Sequence, residues 1–95
     1  MVRVIAKNFL KAENIEVAAP LFREMIAETV KEDGCIEYRL FVDNSDPTIH
    51  IFTEEWTTQE ALDKHAASAH YARIIPQIRA LCAKPGELSL SKEFK

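Results

Sequence analysis

The chain has 95 residues, 47% of them hydrophobic, with a formal net charge of -3. At this size one globular domain over residues 1–95 is expected, burying only about 60 to 65% of its unfolded surface, so that a dimer interface is a natural supplement. The acidic balance and the lack of a Lys/Arg cluster exclude a nucleic-acid footprint, and no apolar run reaches membrane-spanning length.

Val2 to Phe9 alternates as a strand, with Val2, Val4, Ala6 and Asn8 on one side. This start reads as strand and not as a leader segment, so a cytoplasmic chain follows. From Asn14, a candidate N-cap, the period becomes helical, and Ile15, Ala18, Ala19, Phe22, Met25, Ile26, Thr29 and Val30 form one stripe. Gly34 is the expected stop. Cys35 to Val42 and Ile49 to Trp56 are strands joined by the turn cluster Asp43-Asn44-Ser45-Asp46-Pro47. Thr57-Thr58-Gln59-Glu60 fits a capping box with Thr57 as the cap, opening a helix from Thr58 to about Ala66. A second helical stripe runs from Tyr71 to Cys82, with Pro76 predicting a kink or two short helices. Lys84-Pro85-Gly86 reads as a turn and Glu87 to Phe94 as the last strand. Cys35 and Cys82 have no C-x-x-C spacing and read as reduced thiols in apolar settings.

The order β-α-β-β-α-β is that of a split βαβ, ferredoxin-like α+β fold. Right-handed crossovers give a four-stranded antiparallel sheet of order 4-1-3-2 with the helices on one face. Ile5, Phe9, Ile51 and Thr53 fall on the uncovered face, an apolar patch that a two-fold dimer would bury.

The strand from Ile49 to Trp56 carries the chemistry. Period two sets His50, Phe52, Glu54 and Trp56 on one face, where an inward row is ordinarily apolar throughout. Asn8 ends the inward row of the first strand, so its amide is either a structural clamp or a ligand contact. Glu54 either orients an imidazole or pairs with Arg39 across the hairpin. His65 and His70 are candidate bases, histidine being the one side chain with an unperturbed pKa near neutrality.

Gly34-Cys35-Ile36-Glu37-Tyr38, the Asp46-Pro47 turn, Phe52-Thr53-Glu54-Glu55-Trp56 and Leu62-x-x-His65-x-x-x-x-His70-Tyr71 together resemble the antibiotic biosynthesis monooxygenase family, of the small quinol-monooxygenase type. The likeness runs from Val2 to Leu90. It implies a dimeric α+β barrel, each subunit holding a pocket between sheet and helices, and oxygenation of phenols, quinols or anthrone-like polyketides by dioxygen without flavin, haem or metal. Relatives of this fold also degrade haem, isomerise a small phosphorylated sugar, or have no known catalysis.

On that reading His65, His70 and Asn8 are the catalytic candidates, one histidine acting as base, and Phe52, Glu54, Trp56 and Tyr71 bind a small aromatic substrate. Trp56 also has a plain reading as core, its indole N–H bonded within the protein. An Asn and a Trp line the pocket of haem-degrading relatives at the places of Asn8 and Trp56, but their axial histidine falls near Ile75, which argues against haem. A metal is not expected. On one continuous helix His65 and His70 would point about 140° apart, and although a break at Ser68 could bring them together, His50 lies too far along its strand to be a third ligand. The absence of G-x-G-x-x-G and G-x-x-x-x-G-K removes nucleotide cofactors. A non-oxygenating binding protein or a hydroxy-carbonyl isomerase is the alternative, and a phosphorylated substrate would call on Arg39 or Arg73.

Overall fold

The computed structural model describes residues 1–95. Its elements are β1 (Val2–Leu10), a 3-10 turn (Ala12–Asn14), α1 (Ile15–Thr29), β2 (Cys35–Val42), β3 (Ile49–Trp56), α2 (Gln59–Ala66), α3 (Ala69–Ala80) and β4 (Cys82–Ser91). The sheet is antiparallel with order β2-β3-β1-β4, the arrangement that the chain order and crossover hand require. No helix is long and apolar enough to cross a membrane.

Register places the functional row. Val4 faces Glu54, Ala6 faces Phe52 and Asn8 faces His50 across β1 and β3, while Tyr38 and Leu40 of β2 flank Glu54 and Phe52 on the other side. His50, Phe52, Glu54 and Trp56 are all buried, as the alternation of β3 demands. Helices α1 and α3 close over this face with Phe22, Met25, Ile74 and Ile78, each at most 2% exposed. On the opposite face Ile5, Phe9, Ile51 and Thr53 stay half-buried, beside an Arg3 guanidinium that reaches Glu37 and Glu55 at 3.0 Å each.

Several local expectations shift. The cap of α2 is Thr58, not Thr57: its hydroxyl accepts from the Ala61 N–H at 3.1 Å. Asn14 occupies the cap position of α1 but its side chain makes no capping bond; the amide donates instead to the Leu81 carbonyl at 3.1 Å, tying the start of α1 to the end of α3. Pro76 lies inside α3 without splitting it, and both Pro76 and Ala72, whose carbonyl loses its helical donor, are exposed and open to water. The real break falls at Ala67-Ser68. The last strand begins five residues early, at Cys82, because Lys84 pairs with Phe9 of β1 and Pro85-Gly86 fall in the register shift between Phe9 and Lys7 instead of turning the chain.

Gly34 is the pivot between α1 and the site. Its φ is +84°, its carbonyl accepts from the Thr57 N–H at 2.8 Å, and a Cβ there would lie 2.6 Å from the Ala61 Cβ. Gly34→Ala is expected to cost about 2 kcal/mol from the left-handed backbone together with the clash, read as a lower urea midpoint.

Candidate active site

Between sheet and helices lies a cavity of about 830 Å³, open along β4 where Leu88 and Leu90 line it and are exposed. Of the residues singled out in the sequence, Asn8, Phe52, Glu54, His65 and Tyr71 line it. Trp56 and His70 do not. Trp56 is fully buried and packs its ring 4.8 Å from that of His65, with its indole N–H donating to Glu54 Oε1 at 3.0 Å. The structure therefore puts Trp56 behind the wall, where it holds two lining side chains.

His65 sits in the last turn of α2 and His70 in the first turn of α3. Ser68 separates them: its hydroxyl donates to the His65 carbonyl at 2.7 Å and accepts from the Tyr71 N–H at 3.3 Å, ending one helix and capping the next. The bend brings both imidazoles onto a single carboxylate oxygen. His65 Nδ1–H donates to Glu32 Oε2 at 2.7 Å and His70 Nε2–H donates to the same atom at 3.0 Å. With its Nδ1 proton committed, His65 presents an unprotonated Nε2, which has no protein partner, on a ring that lines the cavity. Burial lowers the His65 pKa, opposed by the Glu32 hydrogen bond and charge.

Glu32 is the residue that sequence reasoning missed. It lies in the turn between α1 and β2, outside every periodic stretch, held by its N–H to the Thr29 carbonyl at 3.0 Å and by its own carbonyl accepting from Cys35 at 3.2 Å. It takes the orienting role considered for Glu54. Glu54 does not pair with Arg39 either, because Arg39 faces the other side of the sheet, opposite Thr53, with its guanidinium 4.9 Å from the Phe41 ring centre.

Glu54 is only 5% exposed, and burial, with a smaller push from Glu32, raises its carboxyl to about 7 against the lowering hydrogen bond from Trp56. A folded-state pKa above the ordinary 4.5 means that the unfolded chain ionises first as pH rises. The associated stability is complete below about pH 4.5 and is lost as pH climbs to about 7. Measured as the difference between wild type and Glu54→Gln in urea unfolding, the variant should gain on the order of 3 kcal/mol relative to wild type across that interval.

Asn8 lines the cavity, and its amide donates to the His50 carbonyl at 3.2 Å. His50 itself stacks on Phe22 with ring centres 5.2 Å apart, and its Nδ1 is buried without a partner. Ile75, at the place where haem-degrading relatives carry an axial ligand, lines the cavity and offers no donor atom. The cysteines are free, and burial raises the Cys35 thiol to about 11. Lys7, Arg79 and Lys84 line the cavity among exposed residues, whereas Arg73 pairs with Glu24 at 2.7 Å and is not part of the wall.

A solved structure described as an antibiotic biosynthesis monooxygenase superposes with a TM-score of 0.97 at 40% identity, each chain fully covered. The Mycobacterium tuberculosis protein Rv0793, which carries a provisional monooxygenase name, is 31% identical over 88% of this chain and 82% of its own length. An uncharacterized Synechocystis protein, sll1783, is 29% identical over 94% of this chain, which spans 61% of that relative's length. The family profile described as antibiotic biosynthesis monooxygenase matches residues 1–77, which is most of the chain and includes every element from β1 to most of α3. By that match, and by a cavity built on the β3 row and the paired helices, this chain belongs to the antibiotic biosynthesis monooxygenase family.

Proposed function

We propose that the chain is a cofactor-independent monooxygenase acting on a small quinol, phenol or anthrone-like aromatic, with His65 as the base. The observation that carries this reading is that His65, whose ring lines the cavity, has its Nδ1–H anchored to Glu32 at 2.7 Å and its Nε2 without a protein partner. Nε2 takes a hydroxyl or activated C–H proton from the substrate, and the Glu32 carboxylate stabilises the imidazolium that results. The substrate anion passes one electron to dioxygen, and the radical pair combines at carbon to a hydroperoxide. The O–O bond then breaks: one oxygen stays as a carbonyl, and the other leaves as water with two hydrogens drawn from the substrate. Glu54, neutral below about pH 7, supplies a hydrogen bond to the developing oxyanion. Phe52 and Tyr71 enclose the ring and keep water away.

Oxygen consumption with a panel of reduced quinols and anthrones tests this directly. Uptake above the uncatalysed rate, abolished by His65→Ala, is expected; a panel with no uptake above background would sink the reading. The isomerase alternative loses the cations counted on for it, since neither Arg39 nor Arg73 lines the cavity. What favours any anionic substrate group is Arg79 toward the opening, since Lys7 shares the outer face of β1 with Phe9 and Lys84 Nζ lies 4.2 Å from the Phe9 ring centre.

The same proposal includes a two-fold homodimer through the outer face of the sheet, supported by the apolar Ile5, Phe9 and Ile51 that no helix covers. Sedimentation velocity should give a dimer for wild type and a monomer for Ile51→Glu.

A further inference from the structure

We propose that Glu32, His65 and His70 form a binding site for one divalent first-row transition cation of the zinc, nickel or cobalt type. Both grounds for setting a metal aside in the sequence are removed by the fold. The helix break at Ser68 turns the two imidazoles toward each other, and the third ligand comes from the α1–β2 turn and not from β3.

Glu32 Oε2, His65 Nδ1 and His70 Nε2 all lie within 4.8 Å of one another. Atoms bound to one tetrahedral ion at about 2.0 to 2.2 Å stand roughly 3.3 to 3.6 Å apart, so the triangle needs adjustments on the order of 1 Å. The Glu32 oxygen already stands 2.7 and 3.0 Å from the two nitrogens, so closure falls on the imidazoles, and His70, at 14% side-chain exposure against 4% for His65, is the ring with room to move. Three ligands arriving from three separate elements form a preorganised chelate, and two imidazoles with a carboxylate select transition cations over calcium or magnesium.

Electrostatics point the same way. The only basic groups within ion-pairing distance of the Glu32 carboxylate are the two imidazoles, so with both neutral its charge is uncompensated. Thr29 Oγ1 and Ser68 Oγ stand 3.3 and 3.4 Å from His70 Nε2, placed to accept hydrogen bonds from a water that completes the coordination.

The ion replaces the two imidazole protons now shared with Glu32. A metal on Nδ1 leaves His65 Nε2 carrying the ring proton, so the nitrogen assigned as the base becomes a donor and can no longer accept. Occupancy of the site therefore switches the base off; this consequence, unlike the binding, rests on the monooxygenase reading.

Chelator-stripped protein titrated with zinc chloride by calorimetry, and with cobalt chloride by visible absorption, tests the binding without any substrate. One equivalent per chain is expected, with affinity lowered in Glu32→Gln and His70→Asn by more than the 10- to 100-fold or so that loss of a partner hydrogen-bonded to a ligand costs. His50→Asn should leave it unchanged. Because a variant can fail to fold, wild-type imidazole NMR provides the second readout: zinc should shift the His65 and His70 rings and spare His50. Absence of stoichiometric binding, or shifts confined to His50, overturns the proposal. In the activity arm, zinc should inhibit oxygen uptake stoichiometrically; if no quinol is oxidised at all, the calorimetry still decides the site.

Discussion

His65→Gln should lower the turnover of any quinol that the wild-type chain oxidises by about 10²- to 10⁴-fold, the range for loss of a positioned general base. Glutamine is close in length and keeps polar atoms in a position that is 3% exposed, so the fold should survive. Its amide cannot take a proton, however, and the Glu32 carboxylate then stabilises nothing that forms during the reaction. The loss should appear in kcat with KM little changed, because Phe52 and Tyr71, the cavity walls proposed to hold the ring, are untouched. His70→Gln provides the contrast. His70 does not line the cavity and acts only through Glu32, so its effect should be smaller by at least about tenfold. Equal losses in the two variants would contradict the assignment of His65 as the group that touches substrate.

Trp56→Ala should destabilise the domain by about 3 to 5 kcal/mol, the cost of deleting a buried indole and leaving much of its volume empty. Trp56 is 0% exposed at the end of β3, pairing with Val2 on one side and Cys35 on the other, so the cavity would open between two strand partners. The damage extends to chemistry. Glu54 loses the indole N–H at 3.0 Å that lowers its pKa, and His65 loses the ring packed 4.8 Å away. Against a total stability of about 5 to 15 kcal/mol for a domain, that loss leaves a substantial unfolded fraction at modest temperatures. Urea unfolding measures it, and Trp56→Phe separates the causes. Phenylalanine restores most of the volume but not the N–H, so it should recover most of the stability while raising the Glu54 pKa further, visible as a shift of its carboxyl titration by NMR.

The outline of the fold was legible because strong periodic signals carried it. The alternation from Ile49 to Trp56 gave the buried row of β3 residue by residue, and the stripe on α1 gave Ala18, Phe22, Met25 and Thr29 as buried positions. The order of elements then left the observed sheet order as the right-handed solution. Where period gave no signal, the sequence was mute. β4 has no buried residue, so nothing distinguished its first half from a turn, and Lys84-Pro85-Gly86 imitates one. Glu32 sits in a turn among other charged residues, Lys31 and Asp33, and nothing local separates it from a solvated neighbour. Its importance comes from a tertiary fact: Gly34 ties that turn to the α2 entrance. Trp56 was placed on the right face, but face alone does not say whether an inward side chain reaches a cavity or stops in the packing behind it. Glu54 was correctly singled out as an inward carboxyl, with its partner misjudged because Arg39 belongs to the opposite face of the sheet.

The break at Ser68 sets a length constraint that no single side-chain substitution reveals. His65 and His70 meet on one carboxylate only because one helix ends and another begins between them, so the spacer Ala66 to Ala69 works as a ruler. One added residue continuing α2 would swing whatever follows by about 100° and lift it by about 1.5 Å, carrying the second imidazole off Glu32. In the Asp43–Pro47 turn, where no site residue lies, an added residue changes only the hairpin tip. Chains descended from a common ancestor with this pocket should therefore vary in length at the hairpin and keep the spacing of five between the two histidines, a pattern of insertions and deletions that reports the pocket even where the lining residues differ.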